Sequence, residues 1–182
     1  MSRRINVTRR VSAGLVVLAA GAVLAGCGAA STTASPPAHS AAAATTASPA
    51  RLVGTALMTI DGVTVHVPSS KPSVLVFLSI SCADCSAATN AAAQASRTIG
   101  DKASFLGVDL DPGVPAQDLN DFLGSVNAKN LPTVIDAKFA LLGKYKVSAL
   151  SSVLVIDPGG KVTFRAVNPT ANAITAAVAQ SS

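Results

Sequence analysis

The sequence contains no tryptophan and no glutamate, a single tyrosine and two histidines, and only 13% of its 182 residues are charged. Three cysteines are too few for a disulfide-stapled miniprotein. A 49% hydrophobic content is too high for a disordered chain, and the length suits one ordinary domain, hardly two. No Gly-rich phosphate loop, paired catalytic carboxylates or Ser-His-Asp set stands out, and no apolar run is long enough to cross a bilayer. The formal charge of +5 is misleading, because Arg3, Arg4, Arg9 and Arg10 sit at the extreme N-terminus, whereas the acids, all Asp, begin at Asp61. Without those four arginines the excess falls to +1, which removes the main support for a nucleic-acid partner.

What is present at the N-terminus reads as an export leader. An Arg-rich start precedes an apolar run from Ala13 to Leu24, about twelve residues, too short to span ~30 Å of hydrocarbon as a helix. The run ends in Leu24-Ala25-Gly26-Cys27, which resembles the bacterial lipobox. That resemblance implies cleavage after residue 26 and lipid on Cys27, anchoring the chain to the extracytoplasmic face of the cell membrane. The alternatives are an uncleaved anchor or an ordinary secretory signal with a chance Cys. The Arg pairs leave the choice between the general and the twin-Arg export route open. Residues 27–51, the lipidated Cys and an Ala/Ser/Thr/Pro stretch, read as a flexible tether with His39 a bystander in it.

Residues 52–182 read as one α/β domain. Thr55–Ile60 and Val63–Val67 flank Asp61-Gly62, a strong hairpin signal. Val74-Leu75-Val76-Phe77-Leu78 is an unbroken apolar run suited to a strand covered on both faces. A helix is expected after Cys82 to about Ile99, and a second strand over Ala103–Val108. Pro115 opens a helix carrying Leu119, Phe122, Leu123 and Val126. A short segment over Pro132–Ile135 and a helix over Lys138–Tyr145 follow. Strands over Ser152–Ile156 and Val162–Val167 bracket Asp157-Pro158-Gly159-Gly160, and a last helix runs from Pro169 to Ala179 with Asn168 as its N-cap. The order predicts a mixed central sheet with helices on both faces and an N-terminal β-hairpin, the first two core strands parallel. Met58 and Phe122 are expected in the core, Tyr145 with its hydroxyl at the surface, and His66 facing outward. Asp109, Asp111, Asp118 and Asp121 read as solvated charges.

With Cys27 lipidated, Cys82 and Cys85 are the remaining thiols, in Cys82-Ala83-Asp84-Cys85 where the buried strand gives way to a helix. Placed at the helix N-terminus, Cys82 gains from free amides and the dipole, so it is the expected attacking thiolate, and Cys85 the resolving one. A CxxC at that place in an exported chain points to redox chemistry. The competing reading is a structural disulfide or buried thiols, although closing so short a loop removes little unfolded-state entropy.

Residues 55–182 resemble a thioredoxin-like domain of the TlpA/redoxin type. The residues that carry the resemblance are the run Val74 to Cys85, then Lys144-Tyr145-Lys146-Val147, and Val155-Ile156-Asp157-Pro158-Gly159-Gly160-Lys161-Val162. It implies a thioredoxin-like fold and a membrane-tethered thiol–disulfide oxidoreductase acting on cysteine pairs of exported proteins, with a membrane partner recycling it and the disulfide itself in place of a cofactor. Three positions depart from the family. Ser81 stands where a Trp usually precedes the first Cys, and its hydroxyl is a candidate helix cap. Ser151 stands where the cis-Pro faces the CxxC; a cis bond before Ser costs about 2.5–4 kcal/mol, so a trans bond is expected. Pro132 belongs to an earlier element and is not assigned the cis role. Val76 occupies the place of the buried acid, which leaves Asp84 as the acid beside the pair. Ser81, Ala83, Asp84, Leu150 and Ser151 are the expected partner groove. Zinc falls short of its usual four ligands, with only His39 and His66 as imidazoles, and no metal site is expected. The alternative is a non-catalytic thioredoxin-like lipoprotein binding Cu(I) through the two thiolates, or binding a protein.

Overall fold

A computed structural model describes residues 54–181. The leader 1–26, Cys27 and the tether to residue 51 lie outside the described residues.

The elements follow the chain as β1 (Thr55–Met58), β2 (Thr64–Val67), β3 (Ser73–Leu78), α1 (Cys85–Ile99), β4 (Ser104–Asp109), α2 (Ala116–Ser125), β5 (Thr133–Ile135), α3 (Ala140–Lys144), β6 (Ser152–Ile156), β7 (Val162–Val167) and α4 (Ala171–Ala179). Strands β1 and β2 form an antiparallel hairpin whose turn carries Gly62 at φ +78°, a left-handed conformation that glycine enters without steric cost. The remaining five strands make one mixed sheet in the order β5-β4-β3-β6-β7. β3, β4 and β5 run parallel, joined through α1 and α2, whereas β6 runs antiparallel to β3 and β7 antiparallel to β6.

β3 is the centre of the sheet, and all six of its residues are buried. Its alternation divides the core. Val74, Val76 and Leu78 pack with Ala88, Ala92 and Ala93 of α1, Leu119 and Leu123 of α2, and Ile174 and Val178 of α4. Leu75 and Phe77 face the other way, toward Leu141, Tyr145, Val147 and the hairpin residue Val67. The alanines of α1 keep that helix close to the sheet. Gly107 does the same between β4 and β5: a Cβ there would lie 2.5 Å from Thr133 Oγ1.

Four local expectations change. Met58 is 71% exposed at the end of β1 rather than in the core, while Phe122 does pack against it. Tyr145 is buried with its hydroxyl, which has no hydrogen-bond partner among the described residues; burial raises its pKa. The reason is position, since the tyrosine ends α3 directly beneath the second core face. Asn168 does not cap the last helix. It takes a left-handed φ of 49° and donates its N–H to the Ser151 carbonyl, so the cap moves to Thr170, whose side chain accepts from Ala173 N–H. The first core helix begins at Cys85 with Asp84 at its N-cap, one turn later than the cysteine motif suggests.

Candidate active site

The site forms where β3 ends. Leu78 is followed by Ser79, a buried residue whose hydroxyl donates to Asp111 Oδ2 at 2.7 Å and lies 2.7 Å from Ser81 Oγ. The same carboxylate oxygen accepts the Ile80 N–H at 3.1 Å, and Ser79 Oγ accepts the Ser81 N–H at 3.2 Å. These bonds fold the segment into successive turns: Cys82 N–H donates to Ser79 O, and Cys85 N–H donates to Cys82 O. Cys82 therefore stands before the helix, and Cys85 is its first residue. Ser81 is not the cap the sequence suggests, because its hydroxyl is held by Ser79. Asp84 caps only by backbone position, with no side-chain bond.

Cys82 and Cys85 are joined as a disulfide with their Cα atoms 5.4 Å apart. The sulfurs are unequally placed. Cys85 is fully buried in the core on the α1 side, whereas Cys82 is half-buried at the surface. Ser81, Ala83 and Asp84 are exposed around it.

Ser151 faces the pair from the segment entering β6. Its peptide bond to Leu150 is trans; the cis bond among the described residues is Val67–Pro68. Ser151 adopts φ 61°, an uncommon conformation for a residue with a side chain, held by its N–H on Phe77 O at 2.9 Å and by Asn168 N–H on its carbonyl at 3.0 Å. Its hydroxyl donates to Cys85 Sγ at 3.4 Å and lies 3.8 Å from Cys82 Sγ. Leu150 is partly exposed beside it, as expected of a groove residue, but Ser151 itself is buried. It meets the sulfurs rather than walling an open groove.

The acidic cluster divides into two kinds. Asp118 and Asp121 are exposed on α2. Asp109 is fully buried at the end of β4, in register with Leu78; one carboxylate oxygen accepts the Asp111 N–H at 3.2 Å, and the other has no partner among the described residues. Burial pushes its pKa up to about 6, helped by the charge of Asp111 and opposed by the N–H groups of Asp111 and Leu110. The chain thus does have a buried acid, on β4 and not at the Val76 position of β3. Sequence reasoning missed it, although alternation along β4 places Asp109 on the face of Phe105, which packs in the α1-side core. Asp111 and Ser79 were also missed as supports of the cysteine loop. His66 is exposed on β2 with Nδ1 3.3 Å from the Gly54 carbonyl, and His39 lies outside the described residues.

The thioredoxin-like family model matches residues 70–162, just over half of the chain, from the approach to β3 through the start of β7. A protein of Streptomyces lividans named mercury resistance operon ORF3 is 43% identical over 118 residues, covering 63% of this chain and 62% of its own length. The chain therefore spans about three fifths of that curated relative. A secreted Mycobacterium tuberculosis disulfide oxidoreductase, homologous to E. coli DsbE, superposes with a TM-score of 0.58 at 19% identity over 70% of this chain and 96% of that one. The exposed lipoprotein thioredoxin Etrx1 of Streptococcus pneumoniae gives 0.60 at 25% identity, over 70% and 98%. With a parallel β3–β4 pair, an antiparallel β6–β7 return and a CxxC disulfide where β3 meets α1, this chain belongs to the thioredoxin-like family.

Proposed function

We propose that the protein is a thiol–disulfide oxidoreductase, held by lipid on Cys27 at the extracytoplasmic face of the cell membrane and acting on cysteine pairs of exported proteins. The reading rests on one observation above the others, the half-buried Cys82 against the fully buried Cys85. An attacking sulfur needs access to its partner; a resolving sulfur needs access only to its neighbour. In the reducing direction, the Cys82 thiolate attacks a partner disulfide, an S–S bond forms, and one partner sulfur leaves with the electron pair. The Cys85 thiolate then attacks Cys82 Sγ, restoring the internal disulfide and expelling the second partner sulfur. The two protons lost from Cys82 and Cys85 reach the partner thiolates through solvent, and the protein is oxidised by two electrons. A membrane redox partner returns those electrons, and no cofactor beyond the cysteine pair enters the cycle. Ser81, Ala83, Asp84 and Leu150 border the landing surface.

The test is a redox titration of the Cys82–Cys85 couple in the full chain against glutathione and dithiothreitol. A potential between about −120 and −270 mV is expected, the range of exchange catalysts. A value below about −300 mV would mark a structural disulfide and end the proposal.

A second reading is favoured by the Streptomyces relative, whose name ties it to mercury resistance. Two neighbouring thiolates suit a soft thiophilic ion such as Cu(I) or Hg(II). One-to-one binding that survives competition by glutathione, without disulfide exchange, would replace the enzyme with a metal-binding lipoprotein; neither activity would leave a protein-binding scaffold.

A further inference from the structure

A redox pair needs something to stabilise the thiolate that each half-reaction creates. The titratable side chains on the segments around this pair do little for a negative sulfur. Asp84, Asp109 and Asp111 are carboxylates, two of them on the β4 end that holds the cysteine loop. Lys146 is exposed on the segment leading to Ser151, and Arg165 of β7 is turned to the carbonyls of Tyr145 and Lys146. Cys85 also begins α1 in full burial, where desolvation opposes its charged form.

One neutral donor does reach both sulfurs. Ser151 Oγ lies 3.4 Å from Cys85 Sγ and 3.8 Å from Cys82 Sγ, and a backbone held at φ 61° by two hydrogen bonds fixes it there. A non-glycine residue kept in that region is sterically disfavoured and persists where its surroundings over-determine it, which is a common mark of a working site. A proline at this place has no donor to offer.

We propose that the Ser151 hydroxyl stabilises the thiolates of Cys82 and Cys85 in turn, donating to whichever sulfur carries the charge. In the disulfide it donates weakly to Cys85 Sγ. When the pair is reduced it swings to the Cys82 thiolate and keeps the nucleophile ionised. In the mixed disulfide it returns to Cys85, whose proton has gone to solvent, and holds its thiolate until the bond to Cys82 Sγ forms and the partner sulfur leaves with the electron pair. No additional oxidant, reductant or base enters. Ser151 takes on with a hydrogen bond part of what a buried base does by proton transfer. This inference deepens the oxidoreductase reading and rests on it for the catalytic cycle.

The decisive variant is Ser151→Gly, which deletes the hydroxyl while suiting φ 61° better than serine does. The full chain, reduced, is titrated from pH 4 to 10 by thiolate absorbance at 240 nm, and unfolding in urea is followed alongside. The lower thiol pKa is expected to rise by about one unit, a roughly tenfold loss of thiolate below that pKa, with stability kept or improved. An unmoved titration curve in the folded variant overturns the inference. The outcomes also separate the two claims. A shifted titration in a protein whose wild type exchanges no disulfides supports the role of Ser151 and sinks the oxidoreductase. Intact exchange with an unshifted titration sinks Ser151 alone.

Discussion

Two carboxylates at one end of the sheet make an instructive pair. Asp109 closes β4 and Asp136 follows β5, the neighbouring parallel strand, with Asp136 N–H donating to Asp109 O. Both are buried. Asp136 is fully employed: Oδ1 accepts from Ala140 N–H at 2.8 Å, and Oδ2 accepts from Leu141 N–H at 2.9 Å and Leu142 N–H at 3.0 Å. Those are the free amides that open α3, so the carboxylate organises a short helix that could not hold itself. Asp109 has one side-chain bond and an oxygen without a partner among the described residues. The same residue type, buried in both places, is a clamp on the α3 side and an unbalanced charge on the cysteine side, beside the Asp111–Ser79 network that shapes the Cys82 turn.

The largest effect separating the two ends comes from the cysteines. Cys82→Ser is expected to abolish insulin or model-disulfide reduction while costing little stability, because the loop it opens is so short. Cys85→Ser should leave the attacking sulfur in place and accumulate mixed disulfides, visible as reductant-sensitive adducts in non-reducing gels. Failure of Cys85→Ser to form adducts with any cysteine-bearing protein would contradict the assigned order of attack. Asp136→Ala acts in the opposite sense. Losing three bonds to a buried carboxylate should cost about 2–4 kcal/mol of folding free energy by urea unfolding, with the redox potential of the pair unchanged. A shifted potential would show that the two ends are coupled.

Much of this arrangement could be read from the residues, and the exceptions have a common cause. β6 and β7 were legible because Val153–Ile156 is an unbroken apolar run, Val162–Val167 alternates, and Asp157-Pro158-Gly159-Gly160 permits a tight connection. The cysteine pair was legible from its spacing and its place after β3. The helix start was not, because Ser81 is claimed by Ser79 and Ser79 by Asp111, a residue 32 positions away. Asn168 likewise loses its capping place to a distant bond with Ser151. Asp109 reads as a loop charge because the expected strand ends at Val108; the strand continues one residue further and carries it inward. The local pattern specified the elements, and long-range hydrogen bonds decided where each one starts.

Asp109 itself gives a pH signature that Asp136 lacks. Burial lifts its carboxyl from the ordinary 3.8 to about 6 in the folded chain, so between those limits the native state holds more protons than the unfolded chain. Stability contributed by this group must therefore fall as pH rises from about 3.8 to about 6, the loss being complete above. Asp109→Asn removes that dependence. The difference in unfolding free energy between variant and wild type should grow in favour of the variant between pH 4 and pH 7, with the other carboxylates cancelling. A flat difference would mean that Asp109 is solvated in a way its burial contradicts.

The smallest expected effect tests whether an unsatisfied oxygen matters equally on the opposite core face. The Tyr145 hydroxyl is buried among Leu75, Phe77, Leu141 and Leu154, with no hydrogen-bond partner among the described residues. The ring also lies 5.3 Å from Lys144 Nζ, a contact that phenylalanine would keep in weaker form. Tyr145→Phe deletes the desolvated oxygen and leaves the packing, so it should stabilise the fold by up to about 1 kcal/mol. It should leave thiol titration and exchange rates untouched, since Tyr145 lies across the sheet from the α1-side core that holds Cys85. Asp109 and Tyr145 would then differ as the two faces differ: both oxygens are unpaired, but only Asp109 ionises in the physiological range and adjoins the segment that holds the nucleophile. Destabilisation of Tyr145→Phe by 1 kcal/mol or more would instead reveal a partner for that hydroxyl and weaken the parallel.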